Sequence, residues 1–238
     1  MVELLPLLLR VSSNHPISSG DKLEAVIALF FFMPIPIILA VIGFFKWKKY
    51  RKVADIPTST VRGMAAGLVE LNGKVKSIEL LTSPLTKTKC VYYKKQHQVY
   101  SHGKHPGWKN ASWEIEQVNF YLDDGTSKVE VNPELADISL QINETRTKGD
   151  QRDLEYILAP GSIVYAIGTA VIRPNVKSAE KSDDFIVTKG QNDSFYYISD
   201  KKEAQVKASL KSDAKTYLFT AGILFATIIG YAIYVTVA

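Results

Sequence analysis

Two long uncharged apolar runs lie on either side of a mixed polar stretch, and they constrain the fold more than any other feature. The first, AVIALFFFMPIPIILAVIGFF, covers 21 residues from Ala25 to Phe45, and the second, YLFTAGILFATIIGYAIYVTVA, covers 22 residues from Tyr217 to Ala238. About 20 apolar residues in a helix cross the roughly 30 Å hydrocarbon core of a bilayer. We therefore predict two transmembrane helices. The alternatives are a buried helix of a soluble protein and, for the first run, a cleaved signal peptide.

Charge is distributed unevenly along the chain. The segment KWKKYRK, residues 46–52, carries five basic residues, whereas residues 1–45 have a net charge of −1 and the remainder has +1. Binding to a phosphate backbone requires a basic face, and the long stretch between the apolar runs is close to neutral. The charge distribution therefore argues against a nucleic-acid partner.

The basic residues also predict an orientation. Loops rich in Lys and Arg near a helix end stay in the cytoplasm, and Lys207, Lys211 and Lys215 precede the second run. We expect residues 46–215 in the cytoplasm and both termini outside. A single cysteine, which cannot form an intramolecular disulfide, fits this reducing compartment. Lys and Arg can also snorkel to either membrane surface. The residues expected to anchor the chain to lipid headgroups are Lys46, Trp47, Lys48, Lys49, Arg51 and Lys52.

Turn signals between alternating runs predict β structure in the middle of the chain. Asn72-Gly73 predicts one hairpin and Asp124-Gly125 a second, because both dipeptides favour positive φ. The predicted strand regions are Leu68–Ile78, Trp113–Leu122, Ser127–Val131, Ser162–Ile172, Phe185–Thr188 and Phe195–Ile198. The fold class is thus mainly β: an antiparallel β-barrel or sandwich domain inserted between two transmembrane α-helices.

The predicted organisation has six segments. They are an N-terminal tail (1–22), a first transmembrane helix (23–46), a basic juxtamembrane linker (47–62), the β domain (63–199), a juxtamembrane helix (200–215) and a second transmembrane helix (216–238). Asp200 and Glu203 are predicted to cap a helix that can continue into the second span without a break. A helical patch is predicted around Pro133–Asn143.

Both apolar runs contain residues that influence helix packing. Pro34 and Pro36 predict a kink in the first helix, because proline removes a backbone donor and crowds the preceding turn. Gly222, Ala226 and Gly230 recur every four residues and predict a small face that lets another helix come close. Its partner is either the first helix or a second copy of the chain, which would make a homo-oligomer through the second span.

The single cysteine allows two interpretations. A nucleophilic Cys90 needs a nearby cation or base, and Lys89, His97 and His102 are the candidates in sequence. Alternation along a strand, however, places Lys89 on the opposite face from Cys90. We therefore favour a packed structural cysteine and keep a Cys90 enzyme as the alternative.

Other catalytic and metal-binding patterns are weak. His102 and His105 in SHGKHPGW offer two imidazoles, whereas a closed zinc site takes four ligands. The sequence contains no nucleophile elbow, phosphate-binding loop, HExxH motif or dinucleotide-binding glycine pattern. We predict no catalytic residue, no metal and no cofactor.

Four segments in order resemble the GIDE domain of the mitochondrial ubiquitin ligase (MULAN) family. They are ELNGKVKSIELLTSPLTKTKCVYYKKQ, NFYLDDGTSKVEVNP, LEYILAPGSIVYAIGTA and FYYISD. The resemblance covers roughly residues 63–202 and both apolar runs. The order of the four segments supports it more strongly than any single segment does. It implies a membrane-flanked β-rich module, with stand-alone forms expected in prokaryotic cell membranes.

The resemblance does not extend to the ligase chemistry. The family's eukaryotic ligases carry a RING module with eight zinc ligands after the second membrane helix, and one cysteine with four histidines cannot supply them. We expect instead a RING-less scaffold or sensor that binds a membrane-associated protein or lipid at the bilayer surface. A subunit of a larger membrane complex is a further alternative. The residues predicted to contact a partner are His97, His102, His105 and Trp108, in an exposed loop from His97 to Trp108, and the neighbouring Trp113. Core packing is the alternative for both tryptophans.

Overall fold

The structure, a computed structural model, describes residues 27, 30–56, 58–173, 184–191 and 195–237. The chain divides into two units that we describe separately. The helical unit contains the chain up to Arg51 and from Ala208 onward, and the β unit extends from Lys52 to Lys207. The predicted N-terminal tail, residues 1–22, lies outside the described residues.

Two described helices are long and apolar enough to cross a membrane, as the sequence predicts. Helix α1 covers Pro34–Ala54 and helix α2 covers Glu203–Val237. The candidate spans are Phe30–Ala54, with a mean hydropathy of 2.0, and Glu203–Tyr234, with 1.7. At most 11% of either span's apolar window is buried, unlike the core helix of a soluble protein.

Both ends of α1 reflect local sequence. The helical pattern is interrupted at Met33, directly before Pro34, where proline is tolerated because the first helical residue needs no donor. At its other end α1 continues through the basic residues 46–52 and ends at Ala54. The segment predicted as a linker from residue 47 onward therefore begins as helix.

The β unit contains thirteen strands among the described residues. They are β1 (Gly67–Ser77), β2 (Leu81–Thr82), β3 (Lys89–Cys90), β4 (Tyr92–Ser101), β5 (Gly107–Gln117), β6 (Phe120–Asp123), β7 (Lys128–Val131), β8 (Asp137–Ser139), β9 (Glu144–Lys148), β10 (Gln151–Leu158), β11 (Ile163–Ile172), β12 (Phe185–Thr188) and β13 (Tyr197–Ser199).

Five of these strands close into a barrel. Their order is β1-β6-β7-β12-β11, and β11 pairs back onto β1. All pairs are antiparallel except β7 with β12. One parallel pair in a five-stranded barrel of this order is the topology of the OB-fold. The barrel interior is filled mainly by alternate apolar side chains of these strands, among them Leu71, Val75, Phe120, Leu122, Val131, Val164 and Val187.

Two smaller sheets belong to the connections between barrel strands. The first is a four-stranded antiparallel sheet in the order β5-β4-β10-β9, built from the β1–β6 and β7–β11 connections. Its Tyr92 and Leu158 ends join the barrel core. The second is the short β2–β3 ribbon, which carries Cys90.

The hairpin predicted at Asn72-Gly73 is wrong. Strand β1 continues through both residues, because β11 pairs with Gly67–Lys74 and β6 pairs with Lys74–Ser77. A Cβ atom on Gly73 would lie 2.6 Å from the carbonyl oxygen of Asp123. Glycine is therefore needed there because the backbones of β1 and β6 approach closely. A turn and a crowded strand crossing both favour glycine, so the sequence alone does not distinguish them.

The hairpin predicted at Asp124-Gly125 is confirmed. It joins β6 to β7, Gly125 has φ of +86°, and the Asp124 carboxylate accepts backbone hydrogen bonds from Val61, Thr126 and Ser127. Trp113, however, belongs to the separate strand β5. The strands predicted at Ser162–Ile172, Phe185–Thr188 and Phe195–Ile198 correspond to β11, β12 and β13.

Two local predictions near the end of the domain are wrong. The segment predicted as helix around Pro133–Asn143 contains β8, which pairs in parallel with β13 and places Ile138 against the core. Asp200 does not cap α2, because its carboxylate accepts a hydrogen bond from the Gln141 amide. The Gln205 side chain instead accepts a hydrogen bond from the Lys202 amide, the reciprocal half of a capping box.

Candidate functional site

The four-stranded sheet carries most of the residues predicted to contact a partner. Paired residues of neighbouring strands share a face, and alternate residues of one strand lie on opposite faces. The register pairs Gln96 with Trp113 and Leu154, and His97 with Ser112 and Asp153. We name the first side the Trp113 face; it comprises Gln96, Gln98, Tyr100, Trp108, Asn110, Trp113, Ile115 and Arg152.

One end of the Trp113 face is a packed aromatic and guanidinium cluster. The guanidinium carbon of Arg152 lies 4.4 Å from the centre of the Trp108 ring, and Tyr100 packs edge-on against Trp108 at 5.3 Å between ring centres. Arg152 Nε donates a hydrogen bond to Gln98 Oε1 over 2.9 Å. Trp108 is partly buried, and its contacts with Arg152 and Tyr100 hold its ring in place at the surface.

A row of amides crosses the middle of the face. Asn110 Oδ1 accepts hydrogen bonds from Gln96 Nε2 at 2.5 Å and from Gln98 Nε2 at 2.7 Å. Gln98 is buried, while Gln96 and Asn110 keep part of their surface in solvent. The amide groups therefore hold one another in place and still present polar atoms to solvent.

Two large apolar side chains stand next to this row without cover from the described residues. Trp113 is 65% exposed and Ile115 is 46% exposed. They are two residues apart on β5 and so lie on the same face. Single exposed apolar residues are common on protein surfaces, whereas an exposed tryptophan beside an exposed isoleucine on a rigid sheet is a typical interface feature. The expectation that core packing explains Trp113 is therefore wrong.

The three predicted histidines do not join this face as a group. His97 lies on the opposite face, where its Nδ1 atom is 2.6 Å from Asp153 Oδ1. His102 contacts the Tyr100 ring at 4.8 Å and pairs with Asp150 at 3.0 Å, and His105 is exposed in the β4–β5 connection. The segment from His97 to Trp108, expected as a loop, is largely hairpin strand.

Sequence reasoning missed Gln96, Asn110, Ile115 and Arg152. Alternation alone places Ile115 with Trp113, because both lie on one strand. Asn110 and Trp113 are three residues apart and would lie on opposite faces of a regular strand. The extra residue Ala111, opposite the register break between His97 and Gln98, places both on the same face. Arg152 reaches the face by pairing with Gln98, 54 positions earlier in sequence, and no local pattern predicts that pairing.

The opposite side of the sheet carries a buried carboxylate that holds a turn. Glu155 is fully buried, and its Oε1 atom accepts a 2.7 Å hydrogen bond from the Leu85 amide. Its Oε2 atom accepts a 2.6 Å bond from the Thr86 hydroxyl and one from Asn143 Nδ2. Burial alone would raise the pKa of Glu155, but these donors outweigh it and hold the pKa below its ordinary value.

Cys90 is packed beside this carboxylate. Its side chain is fully buried, and its pKa is raised by burial first and by the charge of Glu155 second. Lys89 is exposed on the other side of the strand. A thiol with a raised pKa is a poor nucleophile near neutral pH, so the described geometry favours the structural interpretation of Cys90.

A second buried carboxylate connects β1 to the start of α2. Glu70 is fully buried, and its Oε1 atom accepts hydrogen bonds from Lys207 Nζ at 3.2 Å and from Thr58 Oγ1 at 3.1 Å. Lys207 also pairs with Glu203 at 2.7 Å. The hydroxyl of Tyr165 is buried without a hydrogen-bond partner among the described residues, and burial and the charge of Glu70 raise its pKa. The ion pair ties the first turns of α2 to the barrel wall.

The described residues contain no group of three or more His, Cys, Asp or Glu side chains arranged to hold a metal ion. The acidic pair Asp123 and Asp124 serves the β6–β7 turn through hydrogen bonds to its backbone. No cofactor-binding arrangement is evident in the parts of the chain that the structure describes.

Helices α1 and α2 carry the residues expected to anchor and pack the spans. All six predicted anchors lie on α1, where Lys46 pairs with Asp213 at 3.2 Å and lies 5.1 Å from the Tyr217 ring centre. The two helices pack closely at Gly43, where a Cβ atom would lie 2.9 Å from the Leu218 side chain. Gly222 and Gly230 have open space at the Cβ position, so the predicted small face remains available for another helix.

Comparison with protein-family models, with curated proteins and with solved structures found no match to this chain. The GIDE resemblance therefore remains a prediction.

Proposed function

We propose that this chain is a two-pass membrane protein whose β unit binds a partner protein through the Trp113 face, as a scaffold or sensor at the membrane surface. The observation that carries the proposal is the exposure of Trp113 and Ile115 side by side on a rigid sheet. Tryptophan is enriched at the centres of protein interfaces, and the neighbouring amides supply orienting hydrogen bonds.

The membrane part of the proposal rests on the two apolar helices and on the basic residues at the end of α1. Because loops rich in Lys and Arg stay in the cytoplasm, the basic residues support a cytoplasmic β unit with both termini outside. Contact of the six predicted anchors with lipid headgroups follows from the same placement. The open Gly222 and Gly230 positions support a second role for α2 in pairing with another helix, including one from a second copy.

The relationship to GIDE domains is part of this proposal. The buried carboxylate of Glu155 interacts with two other pieces of the resemblance, the turn that begins at Ser83-Pro84 and the Cys90 segment. Their shared role is to fix the β2–β3 ribbon on the sheet. A relative with this architecture would bind a partner through its β unit.

An enzyme that uses Cys90 with a histidine is the weaker proposal. Cys90 is fully buried, and His97 is hydrogen-bonded to Asp153. Reaction of the native protein with a thiol reagent at neutral pH distinguishes the two. Protection of Cys90 until denaturation supports the binding role, and rapid labelling of the native thiol supports the enzyme.

The proposed function is tested by partner capture from native membranes. The full chain is compared with a Trp113→Ser, Ile115→Thr double variant after chemical crosslinking, with circular dichroism as the folding check. The matched control is Ile142→Thr, since Ile142 is 53% exposed elsewhere in the β unit. We expect a stoichiometric partner with the wild type and the control and its loss from the double variant. Equal capture by all three would refute the Trp113 face as the binding site, and this experiment also detects a fixed complex subunit.

A further inference from the structure

Strand β5 forms one edge of the four-stranded sheet. It is 11 residues long, and every residue from Lys109 to Glu116 is exposed. It pairs with β4 on one side only. Among the described residues, no backbone hydrogen bond reaches the side of β5 that faces away from β4. A long edge strand of this kind is a template for a further strand.

The register break at Ala111 divides this edge in two. Beyond it, Ser112–Gln117 pairs with β4 in unbroken register. A bulge bends a strand locally and disturbs its ladder, so the segment Ser112–Gln117, which we name the open edge, is the part suited to strand addition.

Side chains of opposite chemistry alternate along the open edge. Trp113 and Ile115 lie on the Trp113 face, and Glu114 and Glu116 lie on the other. Both carboxylates are exposed, and Glu114 Oε1 accepts a 2.9 Å hydrogen bond from the Tyr93 hydroxyl. A strand added here would place one set of its side chains beside apolar groups and the alternate set beside negative charge.

We propose that the open edge binds an extended segment of a partner protein in which apolar and basic residues alternate. Such a segment adds a fifth strand to the sheet: its backbone pairs with the outer edge of β5, its apolar residues pack on Trp113 and Ile115, and its basic residues face Glu114 and Glu116. Strand addition takes affinity from backbone hydrogen bonds and specificity from alternate side chains. This inference rests on the proposed function and names its mode of recognition.

A second copy of the chain is a poorer occupant of the same edge. Symmetric antiparallel pairing of two open edges centred on Glu114 places that carboxylate opposite itself. Pairing centred on Ile115 places Glu114 opposite Glu116. Like charges directly opposite each other destabilise a strand pair, so the same carboxylates that attract a basic segment disfavour self-association.

The test uses the full chain in nanodiscs of zwitterionic lipid and a fluorescent eight-residue peptide that alternates valine and lysine. We expect binding by anisotropy, and a loss of more than about tenfold when alternate peptide amides facing β5 are N-methylated. Glu114→Gln with Glu116→Gln should weaken binding by about three- to tenfold. The matched control is Glu79→Gln, an exposed carboxylate outside the sheet.

Several results would overturn the inference. The first is no binding of the alternating peptide, and the second is equal binding of a peptide with its valines and lysines in separate blocks. The third is equal binding of two peptides that are N-methylated on one or the other set of alternate amides. Dimerisation of the chain that the two glutamine substitutions strengthen would assign the edge to a second copy instead. Partner capture that depends on Trp113, together with any of these results, would leave the proposed function standing and refute only strand addition.

Discussion

At the scale of single residues, two buried carboxylates organise polar contacts inside the β unit. Glu155 holds the Ser83–Thr88 turn and Glu70 holds Lys207, and each satisfies backbone or side-chain donors inside the β unit. Alternation predicts that Cys90 and Lys89 lie on opposite faces, which the structure confirms. It cannot predict that the charge of Glu155 acts on Cys90, because their proximity depends on how two distant connections pair.

We predict that Glu155→Gln lowers the free energy of unfolding by about 1.5–3 kcal/mol, since hydrogen bonds to a charged acceptor are lost. Because the pKa of Glu155 in the folded protein lies below its ordinary value of 4.5, its contribution is present above that pH and is lost as pH falls through the folded pKa. Denaturant titrations of the full chain in detergent, at neutral and acidic pH, measure both effects. Equal stability of variant and wild type at neutral pH would contradict this account, and Glu79→Gln is the control.

At the scale of elements, strand identity follows from β-branched or alternating runs, whereas strand ends depend on which strands lie next to each other. The runs that became β11 and β12 contain β-branched residues on both faces, and their prediction is confirmed. Asn72-Gly73 and Asp124-Gly125 are equivalent turn signals locally, yet only the second forms a turn. The first lies where β1 must serve two neighbouring strands, β11 and β6, and that requirement is visible only once the barrel closes.

Gly73→Ala tests the strand crossing. The added methyl group would lie 2.6 Å from the Asp123 carbonyl oxygen, so β1 and β6 must separate. We expect a loss of about 1–3 kcal/mol in the free energy of unfolding, measured by urea titration of the full chain. Gly103→Ala is the control, because its nearest atom is 3.8 Å away in an exposed loop. A neutral Gly73→Ala would mean that β1 and β6 are further apart than described.

The ion pair between β1 and α2 gives a second prediction at this scale. Lys207→Met leaves Glu70 buried without its cation, which should cost on the order of 3 kcal/mol. Adding Glu70→Gln removes the uncompensated charge and should restore part of the loss. Thermal unfolding of Lys207→Met, Glu70→Gln and the double variant measures this coupling, with Lys201→Met, an exposed lysine, as control. Additive losses in the double variant would show that the two groups do not interact.

At the scale of the whole molecule, the apolar runs and the basic segment predict more than any motif. Two helices of spanning length and a closed β-barrel are both present, because hydropathy and strand alternation act over many residues. The Trp113 face was predicted only in part. Trp108 and Trp113 are visible in sequence, but the amide row and Arg152 come from strands that meet only in the folded sheet.

The most direct test of membrane anchoring with a cytoplasmic β unit is cysteine accessibility in sealed vesicles of known sidedness. Gly103 lies in an exposed loop of the β unit, and the native Cys90 is buried and should stay silent. Gly103→Cys should remain in the membrane after alkaline carbonate washing and react with an impermeant maleimide only when the cytoplasmic side faces outward. Release of the chain by carbonate, or labelling from the opposite side, would contradict the account.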